Sequence, residues 1–340
     1  MTLKKTALRR ILTYILPLLI SVRAYAQDPQ FSQFYASPTY TNPAFAGSST
    51  VGRLVLNTRN QWPGISGSFT TVNASYDEHF EAINGGIAIQ AHYDEQGTGT
   101  LRTVGTNFAY SYLIPVSRKF SIRMALQAGF MQKSVDFTKF LWRSQLGQNG
   151  YDANLKPEPL GTPEGKTNIV NFAAGFLGYS KNFYFGFAAH NLTEPNQSFN
   201  LNRSGDVNVN IYRRFTGHVG FIYPINESRM KNKSSYLYPN VIYMQQNFQG
   251  KPASQLNLGM YISKGSLVGG LYLRETFVNT DAIIAIIGIR TEKVKIGFSY
   301  DGTVSNASAG AASSYEVSLA FELRKKVRRR NPRPMTCPDF

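Results

Sequence analysis

The feature that most constrains this chain is a period of two. Apolar and polar residues alternate in segment after segment, and no convincing stretch carries the 3.6-residue period of a helix. Residues 87–94 read Ile-Ala-Ile-Gln-Ala-His-Tyr-Asp, with Gln90, His92 and Asp94 on one parity and Ile87, Ile89 and Tyr93 on the other. The same pattern recurs at 255–262, 294–301 and 315–322, where Asp301, Glu316 and Glu322 interleave with Tyr, Val, Leu and Phe. One face is built for lipid and the other for water. A soluble sandwich or propeller needs an apolar inner face, which this pattern does not offer. Only 16% of residues are charged and 13% are aromatic, as suits a wall with one lipid-facing side.

Alternating segments fall near 51–60, 68–77, 84–94, 101–113, 118–133, 167–180, 182–191, 211–224, 235–248, 253–263, 265–276, 280–290, 293–302 and 313–324. This predicts an all-β, transmembrane outer-membrane barrel of about 14 antiparallel strands with an N-terminal plug-like segment. An even count puts both ends of the barrel on one side, expected to be the periplasm. The connections test the count independently. Those on the side of the termini (78–83, 114–117, 181, 225–234, 264 and 291–292) are mostly short, whereas 134–166, 192–210 and 303–312 all fall on the other side, as external loops should.

Four divisions are expected. Residues 1–26 read as a signal peptide: Lys4, Lys5, Arg9 and Arg10, an apolar run Ile11 to Ile20, then Ala24-Tyr25-Ala26 before a cut at Gln27. The run is too short to span a bilayer as a helix. Residues 27–50 form a plug or periplasmic segment, 51–324 the barrel, and 325–340 a basic periplasmic tail. Prolines at 29, 38 and 43 make the second division a poor strand. Its aromatics are too dense for a free linker, so Phe31, Phe34, Tyr35, Asn42, Pro43 and Phe45 are candidate plug residues, preferably in the lumen.

The net charge of +16 is not spread evenly. Removing residues 1–26 takes away five basic and no acidic residues, leaving +11, and seven basic residues against Asp339 give +6 to residues 324–340. An exported chain with a mildly basic body is not expected to bind nucleic acid. The tail, with Arg328, Arg329, Arg330, Cys337 and Phe340 as candidate contacts, suits an acidic partner or anionic headgroups. One cysteine cannot form an internal disulfide.

No catalytic, metal or cofactor motif is present. The four histidines (79, 92, 190 and 218) form no recognised pair, and there is no Gly-x-Ser-x-Gly or His-Glu-x-x-His. Gly85-Gly86 and Gly269-Gly270 precede no helix and read as glycines that relieve crowding in a curved wall. Phe183-Tyr184-Phe185 and Tyr236-Leu237-Tyr238 read as rings at the membrane interface. The external connection 134–166 carries Phe137, Phe140, Leu141, Trp142 and Tyr151, aromatic and apolar anchors of the kind that concentrate binding energy.

Several segments together resemble the PorP/SprF family of the type IX secretion and gliding machinery of Bacteroidota. They are Gln27–Tyr35 (QDPQFSQFY), Asn42–Gly47 (NPAFAG), Arg59–Gly64 (RNQWPG), His190–Ser198 (HNLTEPNQS), Gly297–Asp301 (GFSYD), Ser314-Tyr315-Glu316 and the terminal CPDF. Arg59, Asn60, Trp62, His190, Glu194 and Asn196 are the motif candidates within them. Asp339 stands where the family pattern often has a basic residue.

The resemblance implies a non-enzymatic outer-membrane component that binds the C-terminal domain of a secreted adhesin and helps export or anchor it. It also implies neighbours in the type IX translocon and the periplasmic motor ring, with outer-membrane lipids around the barrel. The alternatives are a transporter of small hydrophobic molecules with residues 28–47 as a hatch, and a hydrolase in which His92, His190 or His218 meets a nucleophile.

Overall fold

The computed structural model describes residues 29–49, 51–64, 67–140, 145–147, 150–151, 165–199, 209–226, 234–248, 251–276, 280–304 and 313–323. The segment expected to be a signal peptide and the expected basic tail, with Arg328, Arg329, Arg330, Cys337 and Phe340, lie outside them, as do Leu141 and Trp142.

The strands are β1 (Gly52–Gln61), β2 (Phe69–Phe80), β3 (Gly85–Gln96), β4 (Leu101–Pro115), β5 (Phe120–Val135), β6 (Leu146–Gly147), β7 (Gly150–Tyr151), β8 (Lys166–Ser180) and β9 (Phe183–His190). Then come β10 (Arg214–Phe221), β11 (Tyr223–Asn226), β12 (Ser235–Phe248), β13 (Lys251–Lys264), β14 (Leu267–Glu275), β15 (Thr280–Arg290), β16 (Val294–Thr303) and β17 (Ser314–Leu323). The pair β6–β7 is a separate hairpin within the longest connection, and β11 extends β10 along β12. The others form a closed antiparallel barrel of 14 strands. Closure is made by β1, which pairs Gly52–Gln61 with Leu323–Ser314, and by β10, which pairs with both β9 and β12. Every neighbouring pair is hydrogen-bonded, so the wall leaves no edge in hydrocarbon, where an unpaired peptide group is costly.

All fourteen alternating segments of the sequence became wall strands, and their faces follow parity. Gln90 is 3% exposed and Ile89 56%, while Glu316 is fully buried beside Val317 at 46%. Short turns at 81–84, 116–119, 181–182, 265–266 and 291–293 lie on the rim where β1 begins and β17 ends. The connections 136–165, 191–213 and 304–313 leave from the opposite rim.

One expectation needs correction. The inner face is not simply a polar surface meeting water. Toward the short-turn rim it is aromatic and aliphatic: Leu113, Leu177, Tyr179, Tyr184, Tyr238, Ile242, Tyr261, Tyr272, Ile284 and Ile286 form one buried cluster with Phe34, Tyr35, Ala44 and Phe45. Tyr184, Tyr236 and Tyr238 therefore point inward rather than sitting at the membrane interface, while Phe183, Phe185 and Leu237 take the outward parity. The physical reason is that residues 29–49 lie in the lumen and bring apolar side chains with them. Burying each of Phe31, Phe34, Tyr35 and Phe45 is worth about 1.5–3 kcal/mol.

Candidate functional site

Residues 29–49 are folded tightly. A single helical turn, Pro38–Thr41, has proline at its first position, where the missing N–H is not needed. A 3-10 turn, Pro43–Phe45, is capped by Asn42, whose Oδ1 accepts from Ala44 N at 2.9 Å.

The same Asn42 reaches the wall. Its Nδ2 donates to Phe176 O at 3.0 Å and lies 3.1 Å from His218 Nε2. Room for it exists because Gly175 and Gly186 face it, and a Cβ on either would come within 2.2 and 2.9 Å of its amide atoms. Phe45 stacks on His218 with ring centroids 5.2 Å apart, and Tyr35 meets Tyr184 and Tyr261 edge-on at 6.0 Å. At the turn that follows, Ala46 O accepts from Ser111 Oγ and Arg123 Nη1, and Gly47 N donates to Asp77. Gly47, at φ +61°, packs on Gly86 so closely that a Cβ on Gly86 would lie 2.3 Å from Ala46 O. Pro43, Phe34 and Phe31 are buried in the same body.

On the opposite wall the segment is held by ions. Ser32 Oγ donates to Asp301 Oδ2 at 2.6 Å and accepts from Arg274 Nη2 at 2.7 Å and from Arg59 Nη1. Asp301 also takes Arg59 Nη2 at 2.9 Å and Arg274 Nη1 at 3.0 Å. Glu316 Oε2 accepts Ser32 N at 2.6 Å and Gln33 N at 3.3 Å, with Arg59 Nη1 at 3.7 Å. All four ionic side chains are at least nine-tenths buried. Desolvation cancels much of the Coulombic gain of such pairs, so their main effect is to fix one arrangement. Here they fix Ser32 and Gln33 against β1, β14, β16 and β17.

Toward the rim of long connections, lined by β3, β4, β5 and β8, lies a cavity of about 90 Å³. Pro29 and Tyr40 form its floor, and its walls include Gln90, His92, Asp94, Gln127, Lys133, Asn171, His190, Asn191 and Arg214. The motif His190–Ser198 folds back at left-handed Asn191 (φ 55°), a conformation asparagine tolerates. That turn delivers His190 and Asn191 to the cavity.

The other motif candidates go elsewhere. Glu194 pairs with Arg213 at the surface, Asn196 bridges Asn210, and Trp62 leaves β1 with its ring edge-on to Phe69. Arg59 points inward and the adjacent Asn60, on opposite parity, does not reach the ionic layer. Of the loop anchors, the Phe137 and Phe140 rings lie tilted to one another with centroids 6.0 Å apart, and the backbone of Tyr151 pairs with Leu146. His92 and His190 share the cavity, while His218 lies under it against Phe45. Arg274, Asp301, Glu316, Ser32 and Arg214 were not singled out as site residues. Inward parity marked the wall members as lumenal, but nothing local marked them as partners.

The family model for the type IX secretion system membrane protein PorP/SprF matches residues 23–321. The chain belongs to the PorP/SprF family. This barrel is accordingly an outer-membrane component of type IX secretion. No curated relative matches the sequence. Among solved structures it is similar to the toluene transporter TodX of P. putida (8% identity, 84% of this chain and 93% of that one, TM-score 0.48). It is also similar to the Ralstonia pickettii toluene transporter TbuX (9%, 84% and 93%, TM-score 0.46) and to the Acinetobacter baumannii outer membrane protein Omp33 (9%, 82% and 100%, TM-score 0.42).

Proposed function

We propose that this PorP/SprF barrel is a non-enzymatic docking component that captures the C-terminal domain of a secreted adhesin on its rim of long connections. Residues 29–49 act as its plug. The short-turn rim faces the translocon and the motor ring, and the basic tail reaches the same side. The observation that carries this reading is the fixed occupancy of the lumen: residues 29–49 bond to both walls, through Asn42 and Ala46 on one and Ser32 and Gln33 on the other. A barrel filled in this way is suited to present a surface. Phe137 and Phe140, from the loop's aromatic set, lie on that rim, and Phe140 is exposed.

The test is deletion of residues 140–160 in the native cell. The variant is expected to assemble in the outer membrane at the wild-type level yet fail to hold the adhesin at the surface, read by co-purification and surface labelling. Undiminished retention by a correctly assembled variant counts against docking at this rim.

A further inference from the structure

The outer face of the wall is not uniform at the rim of long connections. One row runs across four neighbouring strands: Glu95 on β3 pairs with Arg102 on β4, Arg102 with Ser134 on β5, and Ser134 with Lys166 on β8. The row below it is Tyr93, Val104, Gln132 and Asn168. These residues share the parity of Ile89, Phe108, Phe130 and Val170, which are exposed on the outer wall, and not that of buried Gln90, Thr103 and Ile169. Lys139, at the end of the 3-10 turn Phe137–Lys139 that follows β5, reaches the same place: its Nζ donates to Thr98 O, in the β3–β4 connection, at 2.6 Å. Gly99, at φ +78°, makes room for the approach. A Cβ there would lie 2.8 Å from both Arg102 Nη2 and Lys139 Nζ, and 3.0 Å from Glu95 Oε1.

The cations of this patch are only partly met. Glu95 accepts from the Tyr93 hydroxyl and holds Arg102 at 3.7 Å, with half of the Arg102 side chain exposed. Lys139 bonds a neutral carbonyl, and Lys166 is exposed with no ion pair among the described residues. Three cations therefore face Glu95 and, just before the turn of Lys139, Asp136. On β12, β13, β14 and β17 the outward positions at the same rim are Gln245, Ser254, Glu275 and Tyr315, neutral or acidic. Two strand spacings, about 10 Å, separate the Arg102 and Lys166 backbones, a gap that two long side chains can close around one phosphate. Gln132 Nε2 donates to Asn168 Oδ1 at 3.0 Å one row down, and below them come Phe130 with Val170 and then Phe108, Ala128 and Phe172.

From the rim toward the membrane the wall thus presents cations, then amides, then apolar side chains, the order of groups in a lipid with an anionic sugar head. Long connections face the cell exterior in barrels of this kind, so such a lipid belongs to the outer leaflet. We infer that Arg102, Lys139 and Lys166 bind the phosphate of an acylated sugar phosphate in that leaflet, with Gln132 and Asn168 on its sugar and Phe130 and Val170 against its chains. An acidic protein would use the same cations but not the apolar rows continuous with them.

The test is native mass spectrometry of the full-length protein in detergent micelles with monophosphoryl lipid A, its dephosphorylated form, phosphatidylglycerol and inorganic phosphate. Monophosphoryl lipid A is expected to bind at least about tenfold more tightly than each of the others. One basic residue near an anionic head contributes about fivefold. Arg102→Gln and, separately, Lys166→Gln should each weaken binding by that factor, and both together with Lys139→Gln by about a hundredfold. Glu95→Gln, which removes a carboxylate, should tighten binding, a gain that a folding defect cannot produce. Equal binding of the phosphorylated and dephosphorylated forms overturns the site, and so does a triple variant that binds like wild type. Phosphatidylglycerol or inorganic phosphate binding as tightly as lipid A overturns the sugar lipid as its occupant. A triple variant that keeps lipid A but loses the adhesin overturns the inference in favour of an acidic protein on this face.

Discussion

Asp301→Asn is the sharpest probe of how residues 29–49 are held. The Asp301 carboxylate gathers Ser32 Oγ, Arg59 Nη2 and Arg274 Nη1 at 2.6, 2.9 and 3.0 Å, in a layer of two guanidinium groups and two carboxylates. Asparagine keeps the shape and removes the charge, leaving two buried cations beside one carboxylate. Removing one partner of a buried ion pair costs about 3–5 kcal/mol.

That cost falls largely on the contact between the segment and the wall, because the wall strands keep their ladder bonds. At about 1.4 kcal/mol per tenfold, opening of the segment becomes roughly a hundred- to several-thousand-fold more frequent. Hydrogen exchange followed by mass spectrometry on the protein in lipid bilayers reads this at the amides of Ser32 and Gln33, both donors to Glu316. Exchange there should accelerate by that factor while amides of β12 and β13 stay protected. Adding Arg274→Met restores the charge balance and should recover part of the protection. Exchange at Ser32 and Gln33 within threefold of wild type would falsify the view that the ionic layer holds the segment.

Four further outcomes are expected. Removing residues 29–49 should leave a barrel that still inserts but gives channel openings in planar bilayers that the full-length protein lacks. Tyr35→Ala, which deletes a ring packed on Tyr184 and Tyr261, should cost about 3–5 kcal/mol, as for other large buried aromatics, read as a lower urea midpoint in vesicles. Gly86→Ala should loosen the turn at Ala46–Gly47 and cost about 1–3 kcal/mol in the same assay, since its Cβ meets backbone. Gly217→Ala, whose Cβ meets nothing within 4 Å, should be close to neutral and serves as its control.

The sequence by itself determined the wall. A period of two is a local property, and in a closed sheet it fixes which side chains face lipid and which face the lumen, so the fourteen strands, their parity and the placing of long and short connections were all legible. Arg59, Asn73, Gln90, His190, Asp301 and Glu316 could each be assigned inward from their neighbours alone.

What the lumen does with those residues was decided only by the tertiary structure. Ser32 meets Asp301 and Arg274 across 269 and 242 positions of sequence, and which inward residues face one another across a barrel depends on its closure and stagger, not on any local pattern. Asn42 and Pro43 are plug candidates from the sequence. They form a 3-10 turn in the lumen, but the notch that receives Asn42 is cut by Gly175 and Gly186, on strands that nothing near residue 42 specifies. For the same reason the polar interior expected from alternation became half aromatic. Period two distinguishes inside from outside, but it cannot say that a segment of the chain's own will enter, displace the water and pack its rings against Tyr184, Tyr261 and Tyr272.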